Sequence, residues 1–263
     1  MLNYHPSGMG SSANKADSLS VDLGLRAYML SIYNYMAVGV AITGLSAYLV
    51  YLISATSVGA PDAVAVLEGG VALTSIGHAL FVSNLRWLVI LAPFAPLLFF
   101  SMRLHTLEVS TAQGVFWLYS ALVGVSLAVL MLVYTGESIT STFFITSASF
   151  GALSLYGYTT KKSLTGLGSF MMMGLFGLLI AIVVNWFIAS SALQFAISVV
   201  GVLVFAGLTA YDTQSLKNQY LHSLHNADET TVGRVAVHGA LRLYLDFLNM
   251  FVFLLQLFGQ RRA

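Results

Sequence analysis

The sequence predicts an all-α membrane protein: a seven-transmembrane-helix bundle with a central, polar seventh helix. Three observations carry that reading. Hydrophobic residues make up 58% of the chain and charged residues 8%, where a soluble domain carries roughly 25% charge; the mean hydropathy is +0.85. Seven apolar stretches then follow a polar start, most of them long enough to cross a bilayer core about 30 Å thick. The last stretch, 235–259, is apolar yet holds His238, Arg242, Asp246 and Asn249 at intervals of four, four and three, so a helix lines them along one face. A charge at mid-bilayer costs about 2.5–3.5 kcal/mol on insertion scales. The polar face therefore has to be enclosed by the other segments.

Residues 1–25 are polar and rich in Ser and Gly and read as a flexible N-terminal tail without the apolar core of a cleaved signal peptide. The bundle occupies 26–263. Its first span is 27–53, with Tyr28 and Tyr51 as interface anchors. The long connection 54–86 is expected on the membrane surface; Val64, Leu67, Val71, Ile76 and Leu80 allow a short interfacial helix, and Gly69-Gly70 breaks a longer one. The second span, 87–103, is short and contains Pro93 and Pro96, which predict a kink. Spans 112–134 and 139–158 follow, the latter rich in Ser, Thr, Ala and Gly and so suited to close helix packing. The fifth, 167–189, opens on Met171-Met172-Met173, a packing or lipid-facing run rather than a metal site. The sixth is 193–215.

Basic residues orient the bundle. With the N-terminus cytoplasmic, that side collects Lys15, Arg26, Arg103, Lys161, Lys162, Lys217 and Arg234, while Arg86, Arg261 and Arg262 fall on the other. The last two would sit outside if the seventh segment crosses fully, and inside if it is re-entrant. A net charge of +1 points to neither nucleic acid nor an acidic substrate, and the absence of cysteine excludes disulfides and thiolate metal sites.

On that topology Asp212 lies near the cytoplasmic end of the sixth helix, and Asp246 about 11 residues into the seventh, or ~16 Å. Arg103 ends the second helix on the same side, so Arg103, Asp212 and Asp246 converge. Two carboxylates in low dielectric cannot both ionise cheaply, so the pair is expected to titrate jointly. Deprotonated, they offer hard oxygen ligands to a transiently held cation such as calcium. A structural ion-pair network is the alternative. His238 and Asn249 are expected to be helix-packing hydrogen-bonders, and His78, His105 and Glu137 to be solvated.

The stretches FAGLTAYDTQSLK (205–217), GALRLYLDFLNMFVFLLQLFG (239–259) and TGESITSTFFITSASFGALSLYGYTTKKSL (135–164) resemble the Bax-inhibitor family, also called TMBIM and YccA-type in bacteria. The resemblance runs from Arg26 onward and is weakest over 54–86. It implies a seventh helix surrounded by the other six, a proton-sensing acid pair at Asp212 and Asp246, and an arginine latch on the first acid, for which Arg103 is the matching position. The implied activity is a pH-dependent calcium leak, with no cofactor and calcium as the permeant ion. Bacterial members are linked instead to modulation of a membrane-bound ATP-dependent protease, which makes such a protease a candidate partner. Arg242 departs from the pattern, because a cation one turn from Asp246 favours its charged form.

The expected function is thus a gated leak acting as a monomer in the bacterial inner membrane, with an interaction protein as the alternative. An enzyme is disfavoured. Two membrane aspartates suggest an aspartyl protease, but Asp246 follows Leu243-Tyr244-Leu245 without the glycines that such a site uses. A retinal protein is set aside because the seventh segment has no lysine for a Schiff base.

Overall fold

The computed structural model describes residues 9–67, 69–103 and 107–262, with side chains from residue 20 onward apart from that of residue 101. His105 and residues 1–8 of the expected tail lie outside the described residues. The rest of that tail is helical. Helix α1 runs Met9–Ser54, its apolar stretch begins at Ser20, and Leu25 is buried.

The connection is folded. Strands β1 (Ala55–Thr56), β2 (Ala65–Val66) and β3 (Ala72–Leu73) form a small antiparallel sheet with β3 in the middle. Gly69 and Gly70, at φ 102° and 71°, make the turn between β2 and β3 in a region that glycine enters at low cost. Helix α2, Ser75–Phe81, follows, with the Thr74 side chain accepting from the Gly77 N–H.

The second span is more broken than a kinked helix. Helix α3 is Arg86–Leu91 and α4 is Phe94–Arg103, interrupted ahead of Pro93, which fixes φ and has no N–H to donate. Residues 86–100 turn by 62° from α2. Fifteen residues reach about 22 Å, less than the hydrocarbon core, so a crossing here needs α2 as well.

The remaining helices are α5 (Val109–Val133), α6 (Gly136–Thr159), α7 (Thr165–Ile188), α8 (Ser191–Gln219) and α9 (Glu229–Phe258). Their starts carry side-chain caps on Thr135, Ser190 and Asp228. A π-helical turn, Tyr220–Leu224, extends α8. Among the described residues, six helices are long and apolar enough to cross a membrane, and up to seven segments if the bent pair counts as one. The chain is an all-α, multi-pass membrane protein.

Helix α9 packs on α1, α5, α6 and α8, while α7 lies along α8 and α4 packs on α5. In its most apolar stretch 61% of α9 is buried, against 11% of α7. The helix expected within a ring of six is thus held chiefly by four, with α7 standing behind α8. Close approach is made by glycines. Gly124 lies against the Thr43 carbonyl on α1 and Gly157 against that of Ala210 on α8, with no room for a Cβ.

Helix α9 also runs the full length of the bundle. Gly233 near its start faces Val109, whereas Gln260 and Arg262 beyond its end bond to the α5–α6 connection: Thr135 N–H to the Gln260 carbonyl at 3.0 Å and Arg262 N–H to that of Val133 at 2.9 Å. At 1.5 Å per residue its 30 residues extend about 45 Å. Its two ends therefore lie at opposite ends of the bundle. The Arg262 guanidinium is held against the Tyr134 carbonyl and over the Tyr51 ring.

Candidate functional site

Helices α8 and α9 run antiparallel and share the most extensive helix–helix contact after that of α1 with α5. Asp212 on α8 and Asp246 on α9 are both buried, at 8% and 5% exposure. The four polar residues of α9 share a face, but unequally: Asp246 turns inward, while His238, Arg242 and Asn249 are half-buried.

The guanidinium on Asp212 belongs to Arg242. Its Nη2 donates to Asp212 Oδ1 and forms an ion pair with it. Arg103, the position expected to latch this acid, is exposed at the end of α4. Arg103 ends the short helix α4, which packs on α5, whereas Arg242 sits one turn before Asp246 and its long side chain reaches Asp212.

Asp246 lies within electrostatic range of both Asp212 and Arg242, and its Oδ2 is buried with no hydrogen-bond partner among the described residues. Two carboxyls thus face one guanidinium, and the cluster becomes neutral when it holds a single proton. In low dielectric that state is the one without a net buried charge.

Hydroxyl bonds tie the same helices together. Thr213, next to Asp212, bonds Ser154 on α6 at 2.9 Å, and Ser154 bonds Tyr33 on α1 at 2.5 Å. The Tyr244 hydroxyl, two residues before Asp246, bonds Thr43 at 2.6 Å, and Thr43 donates to the Ser120 carbonyl at 3.0 Å. These ties join α1 to α6 and α8, and α1 to α5 and α9. The sequence reading missed them; their one available signal was a Thr, Ser or Tyr on an otherwise apolar face, which is common in membrane helices. His238 stacks on Phe100 of α4 at 6.0 Å, and Asn249 donates to the carbonyl of Leu245 in its own helix at 2.8 Å. Both serve packing.

The described residues contain no group of three or more His, Cys, Asp or Glu placed to hold a metal ion. Two carboxyls, one already bonded to a guanidinium, do not fit a resident calcium site, which takes six to eight oxygens.

Comparison with known proteins agrees with this architecture. Over 263 residues the chain is 40% identical to the uncharacterized protein RP147 of Rickettsia prowazekii, covering all of both chains. It is 43% identical over 250 residues to an uncharacterized protein of Caulobacter vibrioides, covering 95% of this chain and 94% of the other. It is 39% identical over 241 residues to the inner membrane protein YbhL of Escherichia coli, covering 91% and 94%. The profile of the family described as "Inhibitor of apoptosis-promoting Bax1" matches residues 25–263, and with the whole bundle inside that match the chain belongs to the Bax inhibitor family of membrane proteins.

Proposed function

We propose that this protein is a proton-gated calcium leak in which Asp212 and Asp246 are the sensor and Arg242 is the cation that holds the first acid. The observation that carries the reading is the cluster itself: a buried Asp246 with an unpartnered oxygen beside the Arg242–Asp212 pair, inside spanning helices. Such groups in a bilayer mark ion or proton pathways by default. Losing or gaining one proton changes the net charge of the cluster by one, and that change can pull α8 and α9 together or let them part. The setting is the bacterial inner membrane, supported by the printed name of the Escherichia coli relative, with the N-terminus cytoplasmic. The fold sorts the basic residues for that orientation, since Lys217 bonds the Tyr158 carbonyl and Gln214 that of Lys162 at the end opposite Arg262.

The test is calcium flux into proteoliposomes from pH 6 to 8, for wild type, Asp212→Asn and Asp246→Asn. Wild type is expected to leak with a pH dependence that Asp246→Asn flattens, because an amide cannot titrate. Folded protein with no flux at any pH would shift the reading to a partner-binding role, such as restraint of a membrane-bound protease.

A further inference from the structure

A cavity of about 660 Å³ opens at the end of the bundle where α5 and α9 begin, beside residues 24–35 of α1, with Tyr28, Ser31, Val109, Tyr220 and Glu229 in its lining. Tyr28 is 2% exposed, and its hydroxyl is buried with no hydrogen-bond partner among the described residues, within the field of Arg242. Its ring stacks on that of Tyr220 at 5.2 Å and 28°. Tyr220 opens the π-helical turn, and its hydroxyl is seated in a notch over Gly24 that a Cβ would fill. Behind the stacked pair comes a dry layer of Ile32 and Leu216, both 0% exposed, closing on Gly239. Asp212 lies one turn from Leu216 on α8, and Arg242 three residues from Gly239 on α9.

We propose that this vestibule is the aqueous way in to the Arg242–Asp212 pair, and that the Tyr28–Tyr220 stack is its closure. The proposal rests on the leak reading above and deepens it by assigning the gate. A π-turn interrupts the regular hydrogen-bond ladder and is often found at functional sites, so Tyr220 can swing without unwinding α8. A buried phenol with no partner is destabilised against a satisfied one, which leaves the closed position of Tyr28 easy to exchange for one where water or a hydrated cation meets the hydroxyl. The groups that face this port are Tyr28 and Tyr35 from α1, Tyr220 from the π-turn, Glu229 from the rim of α9, and Arg242 with Asp212 behind the closure.

The chain has no cysteine, so single cysteines report access directly. Ser31→Cys in the vestibule is expected to react readily with a membrane-impermeant cationic thiol reagent, and Ile32→Cys at least tenfold more slowly. Adding Tyr28→Ala or Tyr220→Ala should raise the Ile32→Cys rate tenfold or more, whereas Tyr28→Phe, which keeps the stacked ring, should leave it low. Gly24→Ala, which displaces only the far end of Tyr220, is the milder variant if the alanine changes reduce folding, and should act in the same direction. An Ile32→Cys rate equal to that of Ser31→Cys in the parent, or one unmoved by Tyr28→Ala, Tyr220→Ala and Gly24→Ala, overturns the gate. Because the labelling involves no calcium, a gate that opens on cue in a protein without flux would overturn the leak and leave the port standing.

Discussion

Arg242 makes the sharpest claim among single residues. Breaking a buried ion pair from one side costs about 3–5 kcal/mol; the side chain of Arg242 is 30% exposed, so Arg242→Gln should cost less, about 2–3 kcal/mol. It should also free Asp212 and change both the size and the pH midpoint of the leak. Arg103→Ala should leave both unchanged, since Arg103 does not hold Asp212 in this conformation. Flux measured side by side on the two variants decides between them; a response to Arg103→Ala alone would restore the peripheral arginine as the latch. Asp228, outside the bilayer, offers a second test. Hydrogen bonds from the Thr230 and Thr231 hydroxyls and the Thr231 N–H lower its carboxyl from 3.8 to about 2. A carboxyl lowered on folding stabilises the folded form above its ordinary value, and the contribution disappears as pH falls from about 3.8 through 2. Asp228→Ala should therefore speed amide exchange in the first turn of α9 at neutral pH, and the difference from wild type should shrink toward pH 2.

The helices are set by small residues. Gly157 brings α6 against the backbone of α8, and on the same α6 face Ser154 reaches Thr213 beside the acid pair. Gly157→Leu has to separate the two helices, at about 1–3 kcal/mol or more for overpacking, and should lower the midpoint of thermal unfolding. Gly151 has open space at its Cβ, so Gly151→Leu on the same helix is the control and should leave the midpoint close to wild type. Equal loss in both would mean that the α6–α8 approach is not limiting. The small-residue composition of 139–158 announced such packing from the sequence alone. The partner helix was not legible, because composition says that a face is narrow and not which backbone enters it.

Across the whole molecule, α9 runs from one end of the bundle to the other, which puts residues 162 and 261 at opposite ends. Lys162→Cys and Arg261→Cys in the cysteine-free chain should therefore be labelled by an impermeant reagent from opposite faces of oriented vesicles. Labelling of both from one side would contradict the crossing. This outcome also resolves the two terminal arginines. They oppose the positive-inside bias by count, but Arg262 is tied to the Tyr134 carbonyl and the Tyr51 ring, so its charge works as a clasp on that side of the bundle.

The sequence alone determined what the bilayer enforces. Without water every backbone group has to be satisfied within its own helix, so apolar length gave the spans, and the cost of a charge in hydrocarbon marked Asp212, Asp246 and the face of α9 as interior. Tertiary structure decided the rest. Which arginine reaches Asp212, where α3 breaks from α4, how Tyr28 comes to lie on Tyr220, and that α9 leaves on the far side all depend on side-chain reach between segments distant in sequence. Those contacts are fixed by the geometry of packing, a matter of a few ångströms that periodicity and composition do not encode.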